Sequence, residues 1–226
     1  ASGATQWGGI QLHLDTLGTG FSTGANTINL ADGTNGGMIR VGPLCNGSIF
    51  NIDTGAAVSA GNLHIGELAN NSTTVNQAAG SSVSLINQFR VGHFPTETSV
   101  YNMNGGTLSL VGASPASTPS TDANLEQNGG IYVGIDGQGV FNQFAGTVST
   151  NWVVLDNRGN SGSGANMVTG IDQYNLSGGT LALKSTWGII QRNPTSEFNL
   201  SGGTISIDNT GTGTGTGAAL TVPLNT

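Results

Sequence analysis

The sequence repeats one short motif, and a repeat at a fixed spacing constrains the fold of a chain more than any other feature. Residues 174–183 carry its clearest copy: an apolar residue, then Asn, then Gly five places after the apolar residue, usually Thr, and then alternating apolar residues. The Asn of the motif recurs at Asn29, Asn51, Asn76, Asn102, Asn142, Asn175 and Asn199. Successive copies lie 22, 25, 26, 40, 33 and 24 residues apart, so the base period is 22 to 26 residues.

A second element, which is apolar, any residue, Val or Ile, then Gly, occurs at residues 39–42, 63–66, 89–92 and 131–134. The apolar residues of both elements alternate, which indicates short strands with one buried face, and no stretch has a sustained helical period. We therefore predict an all-β fold, a single-stranded parallel β-helix (β-solenoid) of right hand. It would have about 7–8 coils in a single domain over residues 1–226, with loop insertions near 113–124 and 157–170.

In such a fold, equivalent residues of successive coils stack in columns at a spacing of about 4.8 Å. The seven asparagines of the motif should form a ladder in which each side-chain amide bonds the next. The apolar column beside them is rich in aromatic residues, which should stack on one another: Phe50, Tyr101, Phe141, Tyr174 and Phe198. The glycines of the motif predict a corner whose backbone has a positive φ.

Three phrases of the sequence, NMNGGTLSL, NLSGGTLAL and NLSGGTISI, resemble the GGT-type repeats of bacterial secreted β-solenoid proteins, including autotransporter-associated repeats. The resemblance covers most of the chain. It implies a protein outside the cell or on its surface that is exported by a bacterial-type secretion route, with an adhesive or matrix role. It implies no catalytic residue and no cofactor.

The composition excludes several kinds of partner. Only 8% of the residues are charged, against roughly 25% in ordinary soluble domains, so Ser, Thr, Asn and Gln must cover the surface. The net charge is −7 and no basic run could follow a phosphate backbone, so we expect no nucleic-acid partner. The apolar runs are far shorter than the ~20 residues of a membrane span. Cys45 is the one cysteine, so no intramolecular disulfide is possible.

The best candidate for ligand contact is the column of residues that point away from the core in the second element: Arg40, His64, Arg90 and Tyr132. Glu67 and His93 lie beside this column, each directly after the Gly of its element. One interpretation is a stripe that contacts an anionic sugar or the acids of a neighbouring subunit, because Arg presents a planar fork to carboxylates. The other is a solvated sheet face on which Glu67 offsets Arg90 and His93.

No catalytic set and no metal site is predicted. The carboxylates are scattered, and a pair between neighbouring coils, such as Asp136 and Asp156, is left open as a catalytic alternative. The three histidines have no helix to give them metal-ligand spacing.

The function that these observations favour is a non-enzymatic, extracellular structural or adhesive β-solenoid. No cap is recognisable at either end of the array, so we expect it to associate end to end with itself, as a filament or a component of a surface layer or matrix. The alternative is a glycan-binding module, or a polysaccharide lyase or glycoside hydrolase built on a parallel β-helix. A polysaccharide is accordingly the second possible partner.

Overall fold

A computed structural model describes residues 11–14, 20–30, 36–44, 46–67, 71–110, 129–156 and 171–207. They contain strands, numbered here in chain order, and no helix, so none of them forms a helix that could cross a membrane. One parallel sheet has ten strands: β1 (Gln11–Leu14), β3 (Thr27–Leu30), β4 (Met38–Val41), β6 (Ala57–Ile65), β8 (Ser82–Val91), β10 (Thr107–Leu110), β11 (Gly130–Val133), β13 (Thr147–Leu155), β15 (Thr180–Gln191) and β17 (Thr204–Ile207). The other has seven: β2 (Phe21–Ser22), β5 (Ser48–Ile52), β7 (Ser72–Gln77), β9 (Thr98–Met103), β12 (Gln138–Gln143), β14 (Gln173–Leu176) and β16 (Glu197–Leu200). The all-β prediction with parallel sheets is confirmed.

From β5 to β9 the chain alternates between the sheets, and each strand pairs with the strand one repeat away: β5 with β7, β6 with β8, β7 with β9. The register of β6 and β8 shifts between Ala60 and Asn62, which divides these long strands into two halves. Strand β10 pairs with the first half of β8 and β11 with its second half. The second half therefore corresponds to the second element of the sequence repeat.

The core is a continuous stack of apolar side chains that both sheets contribute. Along β6 it takes Val58 and Ala60 from the first half and Leu63 and Ile65 from the second, all nearly inaccessible to solvent. The aromatic column of the seven-stranded sheet lies inside it, with ring centroids 5.0, 4.5 and 5.3 Å apart along the series Tyr101, Phe141, Tyr174 and Phe198. The two tyrosines stay satisfied there because their hydroxyls donate to buried glutamines, Tyr101 to Gln77 and Tyr174 to Gln143.

On the other face of the seven-stranded sheet, six asparagines form an unbroken hydrogen-bonded ladder. Each Nδ2 donates to the Oδ1 of the asparagine one repeat earlier, at distances of 2.8 to 2.9 Å, through the series Asn51, Asn76, Asn102, Asn142, Asn175 and Asn199. All of these side chains are half-buried. A primary amide has both a donor and an acceptor, so a column of identical residues can satisfy itself.

The prediction that Asn29 belongs to this ladder is wrong. Asn29 lies in β3, in the ten-stranded sheet, in register with Ser59, whereas Ser22 occupies the position next to Asn51. The motif match at Asn29 lies in the strand after the corner and not in the strand before it, since Ser22 aligns with Asn51 and Thr27 with Ala57. The chain has therefore already entered the ten-stranded sheet when it reaches Asn29.

The glycine corner of the motif has the predicted backbone. Its φ values lie between 75° and 83° at Gly55, Gly80, Gly106, Gly146, Gly179 and Gly203. The coils also approach closely here, since a Cβ at Gly146 would lie 2.4 Å from the carbonyl oxygen of Gly106. Only glycine fits both conditions. The two predicted insertions, Cys45 and both ends of the chain lie wholly or largely outside the described residues.

Candidate functional site

The predicted ligand-contact column lies on the second half of the ten-stranded sheet, on the face away from the core. Arg40 of β4, His64 of β6, Arg90 of β8 and Tyr132 of β11 are in register with one another. Only Arg40 is partly open to solvent. His64, Arg90 and Tyr132 are 3%, 4% and 0% exposed, so this part of the column is not a solvated face. Ligand contact by the column stays a prediction.

The polar members of the column are paired with one another and with residues of the corners that follow β6 and β8. We call Arg40, His64, Glu67, Arg90 and His93 the Glu67 cluster. Glu67 is at its centre: its Oε1 accepts from His64 Nδ1 at 2.6 Å and from His93 Nδ1 at 3.0 Å. Its Oε2 faces Arg40 Nη1 at 3.2 Å. Three donors from three successive repeats thus converge on one carboxylate.

The hydrogen bonds of Arg90 determine which ring nitrogen of His93 carries a proton. Arg90 Nη1 lies 2.8 Å from His93 Nε2, and a guanidinium can only donate, so Nε2 accepts. The proton of a neutral His93 is then on Nδ1, which donates to Glu67. Arg90 Nε donates to Gln88 Oε1 at 2.8 Å, which holds the guanidinium against the sheet.

The titration behaviour of the cluster follows from these contacts. Burial by itself raises the pKa of Glu67, but the hydrogen bonds from His64 and His93 outweigh it and hold this pKa well below its usual range. Burial, together with the positive charge of Arg90, lowers the pKa of His64 to about 3. At neutral pH the cluster therefore contains an ionised Glu67 and a neutral His64.

Tyr132, the next member of this register column, has apolar neighbours. It packs in a second apolar cluster with Ile135, Trp152 and Val154, and Ile190 lies against them. The indole N–H of Trp152 points to the Tyr132 hydroxyl at 3.4 Å. The column is thus charged over β4, β6 and β8 and apolar from β11 onwards.

Another set of polar residues, which the sequence analysis did not single out, lies at the corner directly before the strands of the seven-stranded sheet. Asn71 precedes β7, Glu97 precedes β9 and Asp172 precedes β14, and all three are buried. Each packs on a glycine of an earlier repeat: a Cβ at Gly66 would lie 2.5 Å from Glu97, and one at Gly134 would lie 2.0 Å from Asp172. The signal in the sequence is a polar residue immediately before each of these strands.

These corner residues bind backbone amides. Glu97 Oε1 accepts from the N–H groups of His93 and Phe94, the latter at 2.8 Å, and Asp172 Oδ1 accepts from Gly139 N at 2.7 Å. Burial and the neighbouring Asp156 raise the pKa of Asp172 to about 8, although its bond to Gly139 acts in the other direction. Asp156 thus acts electrostatically on Asp172, and the Asp136 and Asp156 pair stays an untested alternative.

Among the described residues, one group has the ligand atoms for a metal ion: the donor atoms of His64, Glu67 and His93 all lie within 4.8 Å of one another. The sequence did not predict this group, because its ligands are not spaced as they would be on a helix. Sheet register brings His64 next to Arg90, and the corner after each strand then places Glu67 and His93 together.

No family model matches the chain, and neither a curated protein nor a solved structure is significantly similar to it. The resemblance to GGT-type repeats therefore depends on the repeat motif alone, and functional inference depends on the geometry.

Proposed function

We propose that this protein is a non-enzymatic structural or adhesive element outside the cell, folded as a single-stranded, right-handed β-solenoid of about 7–8 coils. The observation that carries the proposal is the ladder from Asn51 to Asn199. On this half-exposed sheet face, one residue type joins each repeat to the next. A binding or catalytic site would instead consist of unlike residues. The low content of charged residues, 8%, agrees with a surface of Ser, Thr, Asn and Gln.

The pairing pattern supports one chain winding through successive coils. Strands that are hydrogen-bonded neighbours come from neighbouring repeats, in both sheets. The long strands are divided into two halves by a shift of register. One coil would therefore consist of a strand of the seven-stranded sheet and two segments of the ten-stranded sheet. Such an array is extended by adding repeats, which suits a spacer or a matrix component.

We further propose that the solenoid associates end to end. Within the described residues, the strands with a single neighbour lie at the edges of the sheets. They are β1 and β3 at one edge and β17 at the other in the ten-stranded sheet, and β2 and β16 in the seven-stranded sheet. A free strand edge is a template for pairing with another chain. Ile207 in β17 and Leu200 in β16 are 42% and 40% exposed, so the contact would also bury apolar surface.

Electron microscopy and sedimentation velocity of the full chain over a range of concentrations test this association. We expect rods that lengthen in whole multiples of one molecule as concentration rises. Ile207→Lys should shorten them, because it places a charge at the proposed contact. Leu44→Lys is the matched control, since Leu44 is 71% exposed in the corner between β4 and β5. Dispersed monomers at every concentration would contradict end-to-end association.

The alternative, a glycan-binding module or a carbohydrate-active enzyme, has less support. It requires cationic groups that are free to meet an acidic sugar. In the Glu67 cluster Arg40 pairs with Glu67, and Arg90 is bonded to His93 and Gln88. Binding of acidic polysaccharides that Arg40→Ala abolishes would favour this alternative.

A further inference from the structure

His64, Glu67 and His93 provide two imidazoles and one carboxylate, with donor atoms no more than 4.8 Å apart. We infer that these three side chains form a binding site for a divalent transition-metal ion of the Zn²⁺ type. The ligand atoms would be Nδ1 of both histidines and Oε1 of Glu67. This inference does not depend on end-to-end association.

The donor types select the class of ion. Imidazole nitrogens suit Zn²⁺, Co²⁺, Ni²⁺ and Cu²⁺, whereas Ca²⁺ and Mg²⁺ require sites made of oxygen atoms. Arg40 Nη1 holds Oε2 of Glu67 at 3.2 Å, which leaves Oε1 as the single ligand atom of the carboxylate. An outer-shell partner of this kind orients a ligand.

Metal binding requires a change of tautomer but no net loss of a proton. In the structure both Nδ1 atoms lie at hydrogen-bonding distance from Oε1, 2.6 Å for His64 and 3.0 Å for His93. When the ion replaces these hydrogen bonds, each imidazole moves its proton from Nδ1 to Nε2. Nε2 of His64 is buried and has no hydrogen-bond partner in the described part of the chain, so no bond is broken there.

Arg90 is the group that opposes the ion. Its Nη1 donates to Nε2 of His93, so this contact must be given up when Nε2 gains a proton. Arg40 already faces the charge of Glu67, and a dication adds further positive charge next to the Arg90 guanidinium. Removal of the Arg90 charge should therefore strengthen metal binding. If the cluster were only a hydrogen-bond network that holds Glu67, the same change would weaken it.

A bound ion would fasten two corners of the molecule. His64 and Glu67 come from β6 and the corner after it, and His93 from the corner 26 residues beyond Glu67. The side chains of His64 and Glu67 are 3% exposed and that of His93 is 17% exposed. So enclosed an ion would be structural, and its binding to the folded state alone would raise the unfolding temperature.

The experiment uses the full chain, treated with a chelator and then dialysed to equilibrium against Zn²⁺ or Co²⁺. We expect one ion per chain by elemental analysis, visible absorption bands of Co²⁺ that indicate nitrogen ligands, and a higher unfolding temperature with Zn²⁺. His93→Gln should weaken binding by at least about 100-fold, because loss of even an outer-shell partner costs about 10–100-fold. Arg90→Gln should strengthen it.

His13→Gln is the matched control, since His13 is the one histidine of the chain that is not a proposed ligand. It should leave the affinity unchanged. Circular dichroism shows whether each variant is folded, and the wild-type measurement stands even if one is not. The inference is overturned if the wild type takes up no ion, if His93→Gln binds as tightly as the wild type, or if His13→Gln abolishes uptake.

Discussion

The asparagine ladder and the Glu67 cluster both join successive repeats through side-chain hydrogen bonds, but they do so by opposite means. The ladder is neutral and half-buried, and it uses the same residue in six repeats. The cluster is charged and nearly fully buried apart from Arg40 and His93, and it uses different residue types once.

Identical residues in successive repeats can stabilise a neutral column but not a charged one. An amide donates and accepts, so identical amides satisfy one another in a column of any length. An ionised carboxylate only accepts, and stacked carboxylates would repel. Glu67 therefore needs partners of other residue types from neighbouring repeats. Because these residue types differ from repeat to repeat, the cluster does not extend as a column.

The largest expected effect comes from removing the charge at the centre of the cluster. Glu67→Gln should lower the free energy of unfolding by about 3–5 kcal/mol, because Arg40, His64 and His93 lose the anion on which they converge. Glu197→Gln is the same change at a half-buried carboxylate that accepts from Gln173 and Asn199. Its cost should be about 1 kcal/mol. Equal losses in urea denaturation would contradict the distinction between the two regions.

Acid should weaken the cluster but leave the ladder unchanged. The folded-state pKa of His64 is lowered from 6.5 to about 3, so between these pH values the unfolded chain binds a proton that the folded chain does not. The contribution of His64 to stability is thus lost as pH falls, with a slope of up to about 1.4 kcal/mol per pH unit.

The pKa of Asp172 is raised to about 8 in the folded state, so the folded form binds the extra proton. As pH falls, Asp172 therefore adds stability, whereas His64 loses its contribution. The measurement is therefore the difference between wild type and His64→Asn in urea denaturation from pH 6.5 to 4.5. The advantage of the wild type should shrink towards pH 4.5. A difference that is constant with pH would show that His64 does not titrate this way, and Asn102→Ala should show that constant difference.

Substitutions in the middle and at the end of the ladder should also lower the free energy of unfolding by different amounts, but this difference should be smaller. Asn102 donates to Asn76 and accepts from Asn142, so Asn102→Ala breaks two rungs and should cost about 2 kcal/mol. Asn51 is at the other end of the ladder and accepts from Asn76, so Asn51→Ala loses one rung, and its cost should be about 1 kcal/mol. If the two variants were equally stable in urea, the ladder would not act as a connected series.

The sequence predicted the features that recur from one repeat to the next. The alternation of apolar residues, the positive φ of the corner glycines and the column from Asn51 to Asn199 follow from one motif at a regular spacing. Asn29 was misassigned because the residues around it match the motif although they lie in a strand of the other sheet, where Ser59 is its register partner.

The burial of His64, Arg90 and Tyr132 was not predictable in this way. Alternation along a strand shows which side chains point away from the core, but it does not show what packs on them. Glu97 and Asp172 were missed because the residue type changes at their corner from one repeat to the next, while the position stays the same.

The distance between two outward positions of the seven-stranded sheet tests the winding of one chain through successive coils most directly. Ile49 and Glu197 belong to one register column through Thr74, Val100, Val140 and Gln173. Spin labels are placed on cysteines that replace Ile49 and Glu197, and Cys45 is replaced by Ser. Double electron–electron resonance should then give one narrow distance near 24 Å, from five steps of about 4.8 Å. A broad distribution, or a distance far from this value, would contradict the account.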